Sequence, residues 1–327
     1  MPYIISLSCR ITASEGGHVV LVIGSSGMIG RAVSKLLLDE GFVVHGVDKR
    51  EGVISDANYT HHRSLESVPP TGRVYMFAGY PCPRYYLENP FSTIKDSTAF
   101  LFEVIRYTHT NKARLLFASS SEVYSDTMSL MTEDAIGDID LEHPRACYKE
   151  LKRFSEVVIH NARREYGIET RIVRIFNTYG KSHEDDTRIV PMIINSILHK
   201  KRLILYGDGL QKRSFCHVDD TARGILTVME SNIEEPVNIG NPYEVYNIKQ
   251  LVNLFELISG VKINVEYVND DAMVGPMVRI PDIRKAQSLG WQPSISIESG
   301  IRKVIDAYAY CNVSTPFCPP REACSEE

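Results

Sequence analysis

The sequence predicts an α/β protein: a doubly wound parallel sheet followed by a smaller mixed α/β lobe. Three observations predict it. The stretch VVLVIGSSGMIGRAVSKLLLDEGFVVHGVDKR reads strand, glycine turn, helix, strand, acid. Further apolar strand-like runs follow in RVYMFAG, ARLLFASS and IETRIVRIF, with helical stretches between them. Finally, RACYKELKR places Tyr148 and Lys152 four residues apart, one above the other on a single helical face. A Rossmann-type cofactor domain is therefore expected over 18–180 plus 208–240, and a substrate lobe over 181–207 plus 241–310.

Composition narrows the class. The chain has 327 residues, 43% hydrophobic and 24% charged, which suits a globular protein with a well-filled core. A net charge of -5 argues against a protein that wraps nucleic acid. No apolar run approaches the ~18 residues that a membrane span needs. Seven cysteines, an odd number with no CxxC pair, read as reduced thiols and point to the cytoplasm.

Taken in order, residues 1–17 carry no pattern and are expected to be irregular. The strand from Val19 to Ile23 feeds Gly24, Gly27 and Gly30, and helical periodicity follows at Val33, Leu36 and Leu37. Glycines here let the backbone approach a pyrophosphate, and the helix N-terminus offers it unpaired N–H groups. A second strand, Phe42 to Val47, ends at Asp48, placed to hold the adenosine ribose hydroxyls. Lys49 and Arg50 are of a type that can accept the extra phosphate of NADP, which Asp48 would repel. NAD is the favoured cofactor.

Residues 51–72 read as a polar loop. Its His61-His62 pair has no third partner in reach, so the two are expected to be solvated and no metal is expected. Strand 73–79 follows, carrying Ala78 and Gly79 at its end, then the loop GYPCPRYYLENP and a helix from Phe91 to Thr108. In ARLLFASSSEVYSD, Ser120 and Glu122 leave a strand at its carboxyl end, where open α/β sheets bind ligands. An ammonium on Lys152 should favour the Tyr148 phenolate and lower its pKa, giving a base for a substrate hydroxyl. The strand in IETRIVRIF ends near Asn177, the segment 206–220 reads as a turn back to the first domain, and Val237 to Gly240 as a last strand. The tail beyond about Cys311 lacks periodicity and is expected to be disordered.

These residues resemble the extended short-chain dehydrogenase/reductases of the nucleotide-sugar epimerase/dehydratase group. GSSGMIG and YxxxK are shared across that superfamily. ASSSEVY, RACYKELKR, RIFNTYG, YGDGLQKRSFCHVDD and RIPDIRKA together are similar to its UDP-glucuronate decarboxylase (UDP-xylose synthase) branch. The resemblance implies that Tyr148 is the base for the hydroxyl on sugar carbon 4, with Lys152 tuning it and Ser120 completing the triad. It implies catalytic parts for Glu122 and Arg279, with Arg279 at the sugar-diphosphate. For the cofactor it implies Met28, Ile29, Lys49, Ala78 and Gly79 beside the glycines and Asp48. For a UDP-sugar it implies Tyr86, Asn177, Arg188, Val190, Tyr206, Gln211 and Arg213. It also implies a homodimer through the helices of Phe91 and Tyr148. The implied reaction decarboxylates UDP-glucuronate to UDP-xylose. A uronate 4-epimerase working through the same 4-keto intermediate is the alternative, and a non-catalytic NAD-binding regulator is a third reading on the same fold. The loop GYPCPRYY, Ser64-Leu65, Ser97, Ser125 and Lys181 depart from the decarboxylase pattern.

Overall fold

The computed structural model describes residues 18–309 apart from 52–53, 81, 136, 183–186 and 271–276. The expected irregular extensions, 1–17 and 311–327, lie outside the described residues. The first half of the chain runs β1 (Val19–Ile23), α1 (Met28–Asp39), β2 (Val43–Val47), β3 (Tyr59–His62), β4 (Arg73–Met76), α2 (Pro83–Glu88), α3 (Pro90–Thr110), β5 (Arg114–Ser120), β6 (Leu130–Met131) and α4 (Ala146–Tyr166). It continues with β7 (Thr170–Ile175), β8 (Thr178–Tyr179), α5 (Ile189–His199), β9 (Leu203–Tyr206), β10 (Lys212–Ser214), β11 (Cys216–His217) and α6 (Val218–Glu230). Last come β12 (Val237–Ile239), β13 (Val245–Asn247), α7 (Ile248–Ser259), β14 (Val265–Val268), β15 (Val278–Pro281), α8 (Arg284–Ser288) and α9 (Ile297–Ala309).

Seven strands form one parallel sheet in the order β12-β7-β5-β4-β1-β2-β3. Parallel strands buried on both faces read as continuous apolar runs, which is why β1, β4 and β5 stand out in the sequence. On one face α1, α6 and α8 cover a core that includes Val20, Val22, Leu37, Ile225 and Trp291. On the other, α3 and α4 cover Leu21, Ile23, Leu101, Leu115 and Ile159. Side chains of this size contribute ~1.5–3 kcal/mol each when fully buried. The strand order reverses between β1 and β4, so the carboxyl ends of β1, β4 and β5 open onto a crevice.

A third core, with Ile193, Leu203, Phe255 and Ile301, joins α5, α7, α9 and β9. Beside it lies a four-stranded sheet, β13-β10-β15-β6, which takes β6 from the segment just after β5 and β10 from the stretch read as a simple turn. Leu130 pairs with Ile280 and Met131 with Pro281, which fastens the exit of β5 to a strand near the C-terminus.

The region 51–72 is more than a polar loop. Tyr59–His62 forms the edge strand of the large sheet, with His45 opposite Thr60 and Val47 opposite His62. The histidines are also not solvated: both ring nitrogens of His61 are buried, and His62 Nε2 lies 2.9 Å from His45 Nδ1. A four-residue edge strand with polar side chains has no apolar alternation to announce it. Among the described residues no His, Cys, Asp and Glu side chains gather as a metal-binding group, and no helix is long and apolar enough to cross a membrane.

Candidate active site

The cradle for a dinucleotide is built from backbone. Gly24 has φ +84°, and a Cβ on it would lie 2.8 Å from the Ala78 nitrogen at the exit of β4. A Cβ on Gly30 would lie 2.1 Å from the Gly24 carbonyl oxygen, so the first turn of α1 rests directly on the glycine turn. The α1 N-terminus has no side-chain cap and no acid in its first turn, which leaves its N–H groups to an anion. Met28 is the first residue of α1 and is buried, with Ile29 half-buried beside it. Asp48 lies just past β2, accepting from Ser26 N and Arg50 N, both at 3.0 Å. A carboxylate has about four lone-pair sites, so two bonds leave capacity for a diol. Lys49 is exposed. These residues fit a dinucleotide: a close-approach turn, a free helix N-terminus and an acid at the next strand.

Tyr148 and Ser120 come together at the carboxyl end of β5, and the phenol is hydrogen-bonded to Ser120. Lys152 does not meet the phenol as the spacing predicts. Its Nζ donates to the Ala118 carbonyl at 2.8 Å and lies 4.7 Å from the Phe117 ring centroid, with the Tyr148 ring centroid farther off at 5.8 Å. Burial pushes the Tyr148 phenol up to about 12, and the Glu122 carboxylate adds to this; the Ser120 bond, Arg188 and Arg145 pull the other way without prevailing. The expected lowering of the Tyr148 pKa is therefore corrected: desolvation of the phenolate outweighs the helical neighbour.

Around this pair lies a ladder of charges. Glu122 Oε1 is 3.0 Å from both Arg145 Nη2 and Arg279 Nη1. Arg279, only 2% exposed, also bonds Ser121 Oγ at 3.2 Å and reaches Asp126 Oδ1 at 3.2 Å. Asp126 in turn pairs with Lys149. Burial raises the Glu122 carboxyl, but Arg279 and Arg145 outweigh it and hold the group down at about 2. Glu122 Oε2, Arg145 Nε and Asn177 Nδ2 are buried without a partner, three polar atoms of the kind that a ligand satisfies.

The other anticipated substrate residues divide. Tyr86 is 1% exposed and stacks on Tyr148, ring centroids 5.0 Å apart at 10°. Asn177 lies between β7 and β8, and its carbonyl accepts from Cys216 N. Arg188 precedes α5 with its charge towards the Tyr148 phenol. Val190 is buried in the third core. Tyr206 and Gln211 are joined by a bond from Gln211 Nε2 to the Tyr206 carbonyl at 3.2 Å. Burial and then the like charge of Arg279 pull Arg213 down to about 10. Sequence reasoning missed Asp126, Arg145 and Lys149. Arg145 and Lys149 stand within the RACYKELKR stretch, yet only the fold brings 126 and 279 to them.

The sheet order, glycine cradle and Ser120–Tyr148–Lys152 group define a dinucleotide-dependent enzyme of the Rossmann type. Comparison with known proteins makes this more definite. The model of the NAD dependent epimerase/dehydratase family matches residues 20–248. UDP-glucuronic acid decarboxylase 1 of Danio rerio is 34% identical over 304 residues, covering 89% of this chain and 72% of that protein. UDP-glucose 4-epimerase of Thermotoga maritima, solved with UDP-glucose, has the same fold with a TM-score of 0.81 at 22% identity, over 90% of this chain and 99% of that one. UDP-glucuronic acid 4-epimerase from Bacillus cereus, solved with UDP-glucuronic acid and NAD, gives 0.75 at 23%, over 90% and 99%. The chain belongs to the NAD dependent epimerase/dehydratase family, and NAD is its cofactor.

Proposed function

We propose that this chain oxidises carbon 4 of UDP-glucuronate and releases carbon dioxide, forming UDP-xylose. The observation that carries the reading is Glu122, held ionised between Arg279 and Arg145 beside the Ser120–Tyr148 pair. Similarity to UDP-glucuronic acid decarboxylases over most of the chain supports it.

NAD would be held by the 24–30 turn, Asp48 and the Ala78–Gly79 exit, with Lys152 at its ribose, and when bound it supplies a reversible hydride acceptor. Tyr148 takes the proton of the carbon 4 hydroxyl, with Ser120 as its hydrogen-bond partner. Arg188 and Arg145 lower the cost of the phenolate that must form. The new ketone lies β to the carboxylate on carbon 5, so it absorbs the electron pair left when carbon dioxide departs. Arg279 and Arg145 stabilise the enolate charge, and their positions are fixed before the reaction by Glu122 and Asp126. A proton from solvent then takes the place of carbon dioxide on carbon 5, and Tyr148 returns its proton to the carbon 4 oxygen as the hydride comes back to carbon 4, which leaves the pentose. Asn177 and Arg213 would meet the diphosphate, Tyr206 and Gln211 the uridine, and Val190 would contribute only its main chain. In this reading residues 18–180 plus 208–240 hold the cofactor, and 181–207 plus 241–310 supply most of the sugar-nucleotide contacts.

The assembly proposed is a homodimer through α3 and α4. These helices pack together and leave Phe91, Ile94 and Phe102 of α3, with Phe154 and Val157 of α4, exposed. Free Cys82, Cys147 and Cys216 support a reducing, cytoplasmic setting.

Product analysis tests the function. NAD-loaded protein given UDP-glucuronate should yield a pentose nucleotide and carbon dioxide, and Tyr148→Phe should abolish this while retaining NAD. A product of unchanged mass and altered configuration would establish the uronate 4-epimerase instead. Substrate returned untouched would refute both.

A further inference from the structure

The end of the large sheet opposite the crevice holds a cavity of about 380 Å³, where β5 and β7 begin and α4 and α6 end. Arg114, Arg163 and Arg171 line it, with Glu169, Asn232 and Glu234. Three guanidiniums from three elements thus meet two carboxylates, and both carboxylates are already engaged. Arg114 Nη2 lies 2.6 Å from Glu169 Oε2, and Arg163 Nη1 lies 3.3 Å from Glu234 Oε2. Both acids reach into solvent, which screens what they give. Arg171 is only 4% exposed, yet it pairs with no carboxylate among the described residues. Its Nε donates to the Ser231 carbonyl at 2.9 Å and its Nη1 to the Thr170 carbonyl at 2.8 Å, while Nη2 has no partner among the described residues. Neutral carbonyls, even at the end of α6, carry partial charges too small to offset the desolvation of a guanidinium. Burial and the like charge of Arg114 lower the Arg171 pKa, and Glu169 and Glu234 do not make up the difference. The lining is one cation in excess.

We propose that this cavity binds a phosphate group, free or carried on a small metabolite, at a site separate from the catalytic crevice. Guanidiniums drawn from β5, β7 and α4 suit a tetrahedral oxyanion, which presents oxygens in several directions. A planar carboxylate is satisfied by a single fork and has less use for three. Arg163 stands about 22 Å from Tyr148 along α4, so an anion here touches none of the reacting groups. The site is independent of which nucleotide sugar the crevice takes.

Calorimetric titration of the NAD-loaded protein with inorganic phosphate, glycerol 3-phosphate and acetate, at constant ionic strength, tests it. Wild type should bind at least one phosphate compound tenfold or more tightly than acetate. Arg163→Gln, at the rim of the cavity, should weaken that binding about tenfold and leave NAD affinity unchanged. Arg171→Met should weaken it at least as much, and if that variant folds poorly Arg163→Gln decides alone. Tighter binding of glycerol 3-phosphate than of inorganic phosphate assigns the cavity to a phosphorylated metabolite, and the reverse order assigns it to the free ion. Phosphate binding that survives Arg163→Gln unchanged would place the ion in the crevice and overturn the inference. Acetate bound as tightly as phosphate, or no binding of either phosphate compound at millimolar concentration, would overturn it as well.

Discussion

Lys152 is enclosed by Phe117, the Ala118 carbonyl and, one turn along α4, Glu156. Burial pulls its ammonium down to about 8 from an ordinary 10.5, and Glu156 is the charge that resists the fall. Because the folded chain releases this proton at lower pH than the unfolded chain, the buried charge costs stability below pH 8. That cost fades as pH rises from 8 towards 10.5. Activity runs the opposite way, since turnover needs the ammonium. The profile of kcat/KM against pH is expected to fall above about 8, and Glu156→Gln to move that alkaline limb to lower pH. A limb that stays in place in the variant would remove Glu156 from the account. Glu156 is itself anchored by Ser119 and by both nitrogens of the Arg174 fork, at 3.0 and 2.8 Å. None of these partners was legible in the sequence. The shared helical face of Tyr148 and Lys152 was, because spacing alone sets it, but the turn of Lys152 to the Ala118 carbonyl was not. The rise of the phenol pKa was not, because desolvation depends on what the rest of the chain packs around it.

At the scale of elements, local pattern succeeded where neighbours in sequence make the structure. The span β1–α1–β2 and the acid after it were readable since every contact in the glycine turn is made within thirty residues or against the adjacent strand exit. Gly30→Ala would set a methyl 2.1 Å from the Gly24 oxygen, a backbone atom with nowhere to move. Thermal or denaturant unfolding should register a loss of about 1–3 kcal/mol, and NAD titration an affinity at least tenfold weaker. Unchanged NAD affinity would mean that the turn does not serve the cofactor. The strand β3 and the four-stranded sheet escaped notice for the opposite reason. Residues 59–62, 130–131, 212–214 and 278–281 are too short to announce strands, and their pairing is decided by distant partners.

For the whole molecule, the exposed apolar row on α3 and α4 is the feature that the monomer leaves unexplained. Phe91 is 81% exposed and Val157 56%, with Phe102 at 52%. Large apolar side chains left exposed on two helices that pack together are a surface of the kind that serves interaction. If the proposed dimer forms through this face, Phe102→Glu/Val157→Glu should sediment as a monomer where the wild type sediments as a dimer in analytical ultracentrifugation, with the far-ultraviolet dichroism unchanged. A wild-type protein that sediments as a monomer at micromolar concentration would overturn the assembly.

The pairing of β6 with β15 also orders events in time. A ribosome delivers the cradle, the Tyr148 helix and, at Ile239, the last strand of the large sheet before Arg279 exists. A nascent chain of about that length has every strand of its cofactor platform, while Glu122 and Asp126 still lack the cation that comes from more than 150 residues downstream. The charged cluster around Glu122 is thus completed only after the whole sheet has been made, and a chain stopped short of residue 278 keeps all seven strands of the sheet without it.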